Sequence, residues 1–536
     1  MIREYFKDKT ILITGTTGFL GKVLLERILW EVPQVRRVRL LVRAPAGSGS
    51  ADDRARQRLV NSLSKSPAFE RLHERQPDFQ GFLDDKLEVY DSDLLKEDLG
   101  LSPESESRLF DGLDAVIHIA ASVSWDERFD YSVRINTLAA LRLLELARKT
   151  EPRPRFVHIS SAFVHGQRNG RVFEEPFDPA RSIANEMGKE HRFELDREIE
   201  MALTRGEEVM AEADRPQLEK QFRDEAEKLA AIPKYADMPL DKRIARQKNW
   251  HIRSQLSEYG RERALRNGWI DSYTFSKAMA EMVLTRSHGD VPLAIVRPPG
   301  ITSAMGQPMK GWLEGYHLVE PLVEGVGRGM ITAFPGNPQT VVDTVPVDYV
   351  VNLIMAACAT HDRADRIPIY QIGTSHLNPI NLKDISRIWL GYFEKNPMRN
   401  TGGEPIETRP PRFYPNPEEF VRFYQQRRKR PLTIAGRLLE AVPFTGHIKP
   451  LDKARQWIAK KEKQIDKLCK FSDLYSAYTV NSWIFVTDNT MGLLKSLPAD
   501  DQQQFNFDSS KIDWHEYWTQ THIPGMRRYV IQETGA

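Results

Sequence analysis

The sequence has little cysteine and no long apolar run. Cys358 and Cys469 are the only cysteines among 536 residues, too few for a disulfide framework, and this scarcity suits a reducing cytoplasm. No run approaches the roughly 20 apolar residues that span a bilayer. The first ten residues, MIREYFKDKT, also lack the apolar core of a signal peptide. We therefore expect a cytoplasmic protein that contacts a membrane at most at its surface.

An excess of charge of one sign is also missing. The chain contains 76 lysines and arginines against 74 aspartates and glutamates, which leaves a net charge of +2. This balance gives no sign of a nucleic-acid-binding protein or of an acidic tail, so we expect no nucleic-acid partner. The length allows two or more domains with sizeable cores.

Two phosphate-binding motifs compete for the stretch ILITGTTGFLG at residues 11–21, which precedes a lysine and a helical pattern. A nucleotide-triphosphate loop requires G-x-x-x-x-G-K-[ST], but Thr16 stands at its first glycine and Val23 at its Mg²⁺-binding hydroxyl. A dinucleotide-binding turn needs closely spaced glycines between a strand and a helix, where the backbone approaches a pyrophosphate. The spacing G-x-x-G-x-x-G fits that turn, with a glycine-rich turn of another α/β protein as the alternative. The glycines are Gly15, Gly18 and Gly21.

No acidic residue follows the second apolar run, VRRVRLLVRAPAG. Sites that prefer NAD carry an aspartate or glutamate there for the ribose 2′-hydroxyl, whereas an arginine accepts the 2′-phosphate of NADPH. Here the strand-like part of the run ends at Arg43. We predict NADPH as the cofactor, and a solvated arginine at the strand end is the alternative.

Apolar runs alternate with helical segments over much of the chain. The alternation predicts an α/β fold with a Rossmann-type doubly wound parallel sheet, which binds ligands at the carboxyl ends of its strands. The six runs are TILITG, RVRLLVR, KLEVYDSDL, AVIHIAAS, RFVHISSAFV and PLAIVRPPGI.

The chain changes character twice. From about residue 181 to 268 it is rich in Glu, Arg and Ala with apolar residues three and four apart, which predicts a helical insertion that acts as a lid. Pro233 and Pro239 should interrupt its helices. After about residue 380 the sequence becomes loop-rich. We predict a dinucleotide-binding domain over 1–380, a linker region over 381–450 and a mostly helical C-terminal domain over 451–536.

A proton-transfer site is predicted around SYTFSK, where Tyr273 and Lys277 lie four residues apart and share one face of a helix. A lysine ammonium beside a phenol favours the phenolate and lowers the tyrosine pKa, which suits acid–base catalysis near neutral pH. Ser161, in HISSAFVHG at a strand end, supplies a hydroxyl for a carbonyl oxygen on which negative charge develops. Asn136, early on the intervening helix, either orders a water or braces the site, or simply caps a turn.

These motifs together resemble a known family. TGTTGFLG, SDL, IHIAASVSW, HISSAFV, YTFSK and RPPGI are similar to motifs of extended short-chain dehydrogenase/reductases. GWLEG, DTVPVDYVVNLIMAA and YQIGTSHLNPI narrow the resemblance to the fatty acyl-CoA reductases, the male-sterility family. FSDLYSAYTVNSWIFVTDNTMGLL, FNFDSSKIDWHEYW and GMRRYVI resemble the C-terminal domain of that family. The resemblance covers nearly the whole chain.

The resemblance implies a catalytic set and an NADPH site, carried over position by position. The catalytic set is Ser161, Tyr273 and Lys277. The implied NADPH contacts are Gly15, Thr17, Gly18, Phe19, Leu20, Gly21, Arg43, Asp93, Leu94, Ala120, Ala121, Tyr273, Lys277, Pro298, Gly300 and Ile301.

Within that site, the resemblance places Asp93 and Leu94 near the adenine and the Ala120–Ala121 pair beside the nicotinamide ribose. Two departures from the family pattern stand out. Ser92 occupies a position where glycine is usual. The insertion also makes the interval between the catalytic serine and tyrosine longer than the family's usual few tens of residues, which puts the shape of the acyl channel in doubt.

The implied activity is NADPH-dependent reduction of long-chain fatty acyl-CoA to a primary fatty alcohol through an aldehyde, by two hydride transfers and with release of CoA. A thioester reductase that stops at the aldehyde, acting on acyl-CoA or acyl-carrier protein, stays open as the alternative. A sugar-nucleotide epimerase would favour an acid near Arg43 and lacks the C-terminal motifs, and a non-enzymatic NADPH sensor would be expected to have lost Tyr273 or Lys277. Neither cysteine has a nucleophile context, and we expect no metal.

Two basic segments flank the apolar stretch PLTIAGRLLEAVPF. Three interpretations are open for them: a solvated helix face, a site for the phosphates of CoA, and contact with an anionic membrane surface that supplies long-chain substrate. The segments comprise Arg427, Arg428, Lys429 and Arg430 before the stretch, and Lys460, Lys461, Lys463 and Lys467 after it.

Overall fold

A computed structural model describes residues 1–440 and 449–532 of the chain. The strands formed by these residues are β1 (Thr10–Thr14), β2 (Arg37–Val42), β3 (Leu87–Asp91), β4 (Ala115–His118), β5 (Arg155–Ile159), β6 (Gly170–Val172), β7 (Leu293–Arg297), β8 (Gly300–Thr302), β9 (Ala333–Pro335), β10 (Thr344–Pro346), β11 (Ile369–Gln371), β12 (Arg412–Tyr414) and β13 (Trp483–Phe485).

The central sheet has seven parallel strands in the order β11-β7-β5-β4-β1-β2-β3. The chain reverses direction across the sheet between β1 and β4, and such a switch point is where doubly wound sheets bind ligands. The predicted α/β class and Rossmann-type sheet are confirmed, and all six predicted runs form strands of it. The sequence does not predict β11, because its three residues make too short an apolar run to stand out.

The helices are α1 (Ile2–Phe6), α2 (Phe19–Glu31), α3 (Ala51–Ser64), α4 (Glu70–Arg75), α5 (Phe79–Lys86), α6 (Pro103–Phe110), α7 (Phe129–Ser132), α8 (Ala139–Ala147), α9 (Ile183–Glu186), α10 (Leu195–Ala213), α11 (Pro216–Leu229), α12 (Leu240–Asn267), α13 (Ser272–Ser287), α14 (Glu320–Gly327), α15 (Val347–Thr360), α16 (Leu382–Lys395), α17 (Pro417–Arg422), α18 (Arg430–Glu440), α19 (Lys449–Val480), α20 (Asp488–Ser496), α21 (Ala499–Gln504), α22 (Trp514–Glu516) and α23 (Ile523–Met526). Among the helices that the described residues form, none combines the length and the apolar character needed to cross a bilayer.

Helices cover both faces of the sheet because its strands are apolar on both sides. Every residue of β1 is buried. Ile11 and Ile13 belong to the core that includes α2, whereas Leu12 belongs to a second core with Leu143 and Leu144 of α8. Alternate residues of a strand point to opposite faces, so β1 anchors two helical layers and leaves the carboxyl ends of the strands for the site.

The predicted helical insertion is confirmed and consists of α9 to α12. The segment between helices α11 and α12 contains the two prolines, Pro233 and Pro239. Leu195 of α10 and Ala264 of α12 share a buried cluster with Phe275 of α13. The insertion therefore packs against the helix that carries the SYTFSK motif, and its role as a lid stays a prediction.

The C-terminal part of the chain is mostly helical, as predicted. Strand β13 pairs in parallel with β6, which ties this part to the sheet domain. The range 381–450, predicted to be a linker, contains α16, α17, α18 and β12. Helix α16 buries Ile385, Trp389 and Phe393 in the same core as α2. The core is thus continuous across residue 380, and the domain boundaries stay predictions.

Candidate active site

The structure brings Ser161 and Tyr273 together at the carboxyl edge of the sheet. Ser161 follows β5 and begins a short 3-10 turn, where its Oγ accepts a hydrogen bond from the backbone N–H of Phe163 at 3.3 Å. Tyr273 lies in the first turn of α13, with its side chain next to that of Ser161. The insertion that separates the two residues in sequence therefore does not separate them in space.

The first turn of α13 is fixed by Asp271. Its Oδ1 accepts a hydrogen bond from the Thr274 N–H at 2.7 Å, and the Asp271 N–H donates to Thr274 Oγ1 at 3.4 Å. This reciprocal pair is a capping box, which satisfies otherwise unpaired N–H groups at a helix start. Tyr273 sits between the two capping residues, so the cap restricts the position of its ring.

The pKa values at the site differ from the sequence expectation. Burial raises the pKa of Tyr273 to about 12 and outweighs the opposing effect of the Ser161 side chain. Burial also lowers the pKa of Lys277 to about 8. The expected lowering of the Tyr273 pKa by Lys277 is therefore wrong for this geometry, because the effect of burial dominates. Lys277 Nζ donates to the Ile159 carbonyl oxygen. Loss of hydration disfavours the charged form of both groups.

Two buried histidines next to Lys277 are not predicted from the sequence. His158 Nε2 lies 3.5 Å from Lys277 Nζ, and its ring centroid is 5.4 Å from that of His118. Burial, reinforced by the Lys277 charge, lowers the pKa of His118 to about 3 and that of His158 well below its usual value. Both rings are therefore neutral. In the sequence, each of these histidines stands near the end of one of two successive apolar runs. The sheet pairs the two strands in register, which places the histidines side by side.

The glycine-rich turn after β1 leaves no room for a side chain at Gly15 or Gly21. Gly15 has a φ of +80°, which favours glycine. A Cβ added to Gly21 would lie 2.3 Å from the Gly15 carbonyl oxygen. Gly18 precedes α2 without a side-chain cap, and the first turn of α2 contains no acidic residue. The N–H groups of that first turn are therefore free to bind an anion. The turn therefore fits the pyrophosphate of a dinucleotide.

The end of β4 borders this turn. Thr14 Oγ1 accepts hydrogen bonds from the N–H groups of Ile119 and Ala120, each at 3.1 Å. A Cβ added to Gly15 would lie 2.8 Å from the Ala120 nitrogen. The glycine turn and the Ala120–Ala121 pair, which the resemblance assigns to neighbouring parts of one cofactor, are thus in contact.

Arg43 and Asp93 also meet at this edge. Arg43 follows β2, Asp93 follows β3, and Arg43 Nη2 lies 3.1 Å from Asp93 Oδ1. The Arg43 side chain is 54% exposed, so an incoming phosphate has access to its guanidinium. Asp93 additionally accepts a hydrogen bond from the Leu95 N–H at 3.2 Å. The arrangement is compatible with the predicted 2′-phosphate and adenine contacts, which stay predictions.

The other predicted cofactor contacts lie on the same elements. Thr17 is in the glycine turn, and Phe19 and Leu20 begin α2, with the Phe19 ring stacked on His317 at 4.8 Å. Leu94 follows β3 and packs against the core that includes α8. Past β7, the Pro298 carbonyl accepts a hydrogen bond from the Ala162 N–H, while Gly300 and Ile301 form β8.

Asn136 braces the site. It lies in the π-helical segment Val133–Leu138, a form that often occurs at functional sites. Its Oδ1 accepts from the Ser122 N–H at 2.8 Å, and its Nδ2 donates to the Ser122 carbonyl at 3.1 Å and to Ser276 Oγ at 2.9 Å. Of the open alternatives, the structure favours bracing, because these bonds join the loop after β4 to α13.

A tyrosine from the C-terminal helix α19 reaches the start of α13. The Tyr478 hydroxyl donates to Asp271 Oδ2 at 2.8 Å, and its ring stacks on Trp125 with centroids 4.8 Å apart. A cavity of about 330 Å³ lies beside this contact, between α12, α19 and the start of α13, with Leu265 and Ala477 in its wall. The sequence gives no signal for this contact, since its partners are 207 positions apart.

The cysteines lie away from these groups. Cys358 is buried in α15, where burial raises the pKa of its thiol to about 12. Cys469 is also buried, with a raised pKa. A thiolate nucleophile is disfavoured at both positions. Across residues 1–440 and 449–532 no cluster of three or more His, Cys, Asp or Glu side chains is arranged to hold a metal ion.

Family models match most of the chain. A model described as male sterility protein matches residues 13–354, and a second with the same description matches residues 452–533. The chain belongs to the male-sterility family of fatty acyl-CoA reductases. This fatty acyl-CoA reductase family member is therefore an oxidoreductase with an NAD(P)-binding domain, as the resemblance of its motifs predicts.

Relatives agree with this assignment, and a solved structure agrees with the fold. Fatty acyl-CoA reductase 2, chloroplastic, of Arabidopsis thaliana is 31% identical, over 99% of this chain and 80% of its own. The alcohol-forming fatty acyl-CoA reductase of Simmondsia chinensis is 29% identical, over 99% of both chains. The terminal R domain of the myxalamid PKS-NRPS pathway superposes with a TM-score of 0.53 at 15% identity, over 99% of this chain and 93% of that chain. At 15% identity this similarity shows only that the family member has the same fold.

Proposed function

We propose that this chain reduces long-chain fatty acyl-CoA with NADPH to the primary fatty alcohol, through an aldehyde and with release of CoA. Family membership supports thioester reduction in general. The observation that carries the proposal is the neighbouring Ser161–Tyr273 pair, with Lys277 one helical turn further along and the glycine turn on the same edge of the sheet. Arg43, exposed beyond β2, supports NADPH over NADH.

Three side chains act on the carbonyl oxygen of the substrate. The pKa of about 12 keeps Tyr273 protonated at neutral pH, so its phenol donates a hydrogen bond and then a proton as negative charge develops on that oxygen. The Ser161 hydroxyl orients the same oxygen. Lys277, held at the Ile159 carbonyl, keeps positive charge one turn from the phenol. When bound, NADPH supplies the hydride for each reduction.

The proposed reaction comprises two successive reductions. In the first, the thioester carbon gains a hydride and its oxygen a proton, and the resulting hemithioacetal expels the CoA thiol to leave an aldehyde. In the second, the aldehyde carbon gains a hydride and its oxygen a proton to give the alcohol. The same three side chains serve both steps, because each step develops charge on one carbonyl oxygen.

Product analysis tests the proposal. Anaerobic incubation with palmitoyl-CoA and excess NADPH should give hexadecanol by gas chromatography. The Tyr273→Phe variant keeps the ring but loses the phenolic proton, so it should form neither aldehyde nor alcohol while still binding NADPH. Accumulation of hexadecanal would assign the alternative, a reductase that stops at the aldehyde. Folded, NADPH-binding protein that reduces no thioester would contradict the proposal.

A further inference from the structure

Within residues 427–440 and 449–467, helices α18 and α19 expose three large apolar side chains. Ile434 and Leu438 on α18 are 51% and 66% exposed, and Trp457 on α19 is 54% exposed. The solvent face of a helix ordinarily carries polar side chains at such positions. We use the name basic hairpin for residues 427–440 and 449–467, which contain these three side chains.

The exposed side chains are not needed to pack the two helices together. Lys429 Nζ lies 2.5 Å from Asp466 Oδ1, and Arg455 Nη2 donates to the Leu439 carbonyl at 2.8 Å, which sets the helices antiparallel. Ile458 is buried on the face between them. The contact between the two helices of the basic hairpin therefore does not depend on the three exposed apolar side chains.

Exposed cations stand one helical turn from the exposed apolar side chains. Trp457 has Lys453 four residues before it and Lys461 four residues after it, and Ile434 has Arg430 four residues before it. Residues four apart lie on the same face of a helix. The apolar side chains are therefore set among cations, which a purely solvated helix face does not require.

Few cations of the basic hairpin have a carboxylate partner. Among the lysines and arginines of the hairpin whose side chains the structure describes, only Lys429 forms a salt bridge. The exposed cations are Arg427, Arg428, Arg430, Arg437, Lys453, Lys460, Lys461, Lys463 and Lys467. Clustered cations around exposed apolar side chains match the interface of an anionic membrane, where headgroups carry negative charge and tryptophan is favoured at the boundary.

We propose that the basic hairpin docks on the surface of an anionic membrane, with Ile434, Leu438 and Trp457 inserted at the headgroup boundary and the flanking cations at the lipid charges. The purpose of this contact rests on the proposed function, because long-chain acyl-CoA and fatty alcohol both partition into bilayers. The binding itself does not depend on catalysis. It is therefore measurable without substrate.

Vesicle sedimentation with the full chain tests the docking. The protein should sediment with phosphatidylcholine vesicles that contain phosphatidylserine, far less with pure phosphatidylcholine vesicles, and less as salt is raised, because salt screens the attraction. Each basic residue near such a surface contributes about fivefold to partitioning. The double variant Arg427→Glu/Arg428→Glu should therefore bind at least about tenfold more weakly. Leu438→Ser/Trp457→Ser should also weaken binding.

Matched controls exist on the helical insertion. Trp250 on α12 is 65% exposed, so Trp250→Ser removes a tryptophan that is more exposed than Trp457 and lies outside the basic hairpin. Lys220→Glu/Lys228→Glu reverses two exposed charges on α11. Both controls should sediment like the unaltered protein. Thermal melts of every variant should show that the fold is retained.

The possible outcomes separate this proposal from its rivals. Absence of binding to phosphatidylserine vesicles, equal binding to neutral vesicles, or equal losses in the α11 and α12 controls would each overturn it. Unchanged vesicle binding together with a raised KM for acyl-CoA in a vesicle-free assay of Arg427→Glu/Arg428→Glu would assign the cations to the phosphates of CoA. Failure to reduce thioesters would contradict the proposed function and leave the vesicle result intact.

Discussion

Burial separates the protonation states of the two titratable side chains at the site. It raises the pKa of Tyr273 to about 12 and lowers that of Lys277 to about 8. At neutral pH the phenol therefore holds its proton and most of the lysine is charged. Tyr273 begins the reaction as an acid, and the charge of Lys277 is the part of the site most sensitive to mild alkali.

The pH dependence of kcat/KM follows from the Lys277 pKa. The lysine is charged below its pKa and neutral above it, so kcat/KM for palmitoyl-CoA should fall as pH rises through about 8. Tyr273 stays protonated in this range and contributes no loss. A pH–rate profile, with NADPH affinity measured at the same pH values as the control, checks this. A rate that rises through the same range would show that the lysine charge is not required.

Cofactor preference depends on Arg43. Removing a charge-assisted hydrogen bond costs about 1.5–3 kcal/mol, so Arg43→Ala should raise KM for NADPH at least about tenfold and leave KM for NADH nearly unchanged. Arg37→Ala, at the opposite end of β2, is the matched control and should change neither value. Equal loss of affinity for both cofactors in the Arg43 variant would argue against a 2′-phosphate contact.

At the level of helices and strands, the start of α13 depends on a partner from far along the chain. Tyr478 of α19 donates a 2.8 Å hydrogen bond to Asp271, which caps the turn that carries Tyr273. Tyr478 touches no reacting group in this arrangement. It is a positioning residue, because its hydroxyl acts on the phenol through the helix cap.

Tyr478→Phe isolates the effect of that hydroxyl. The variant keeps the ring that stacks on Trp125 but leaves Asp271 Oδ2 without its donor, so kcat should fall about tenfold while KM for NADPH stays constant. Steady-state kinetics and a thermal melt measure this. Tyr90→Phe removes another hydroxyl that donates to a carboxylate, that of Glu88, and should leave kcat unchanged. Equal kcat in the Tyr478 variant and the unaltered enzyme would remove Tyr478 from the positioning of α13.

Elements with a strong local signal could be predicted, and contacts between distant elements could not. Six of the seven sheet strands lie in runs rich in apolar residues, and the spacing of Tyr273 and Lys277 reveals their shared face. Strand β11 is too short to give such a signal. The layer of His118 and His158 exists only because β4 and β5 pair in register. The pKa of Tyr273 likewise depends on burial in the folded protein, which a local sequence pattern does not predict.

For the whole molecule, the C-terminal part completes the sheet domain. Strand β13 pairs with β6, and Glu174, just after β6, accepts hydrogen bonds from the Thr490 hydroxyl at 2.6 Å and from the Gln371 N–H at 2.7 Å. The sequence predicts a separate C-terminal domain from its change in composition and its family motifs. It could not show these contacts, because each joins residues more than a hundred positions apart.

Truncation tests this dependence. A chain that ends at residue 440 loses Tyr478, β13 and the hydroxyl that meets Glu174, and so leaves buried polar groups and apolar surface exposed. It should aggregate or melt without cooperativity. The full-length Tyr478→Phe variant is the control, since it lacks only the contact at Asp271. A truncated chain that melts cooperatively and binds NADPH would show that the sheet domain folds alone.

The number of NADPH molecules oxidised for each CoA released tests the central claim most directly. Anaerobic turnover of palmitoyl-CoA, with NADPH followed by absorbance and CoA by thiol titration, gives both quantities in one reaction. Reduction to the alcohol at the site of Ser161, Tyr273 and Lys277 predicts two NADPH per CoA, with both signals lost in Tyr273→Phe. One NADPH per CoA would contradict the two-step account and identify an enzyme that releases the aldehyde.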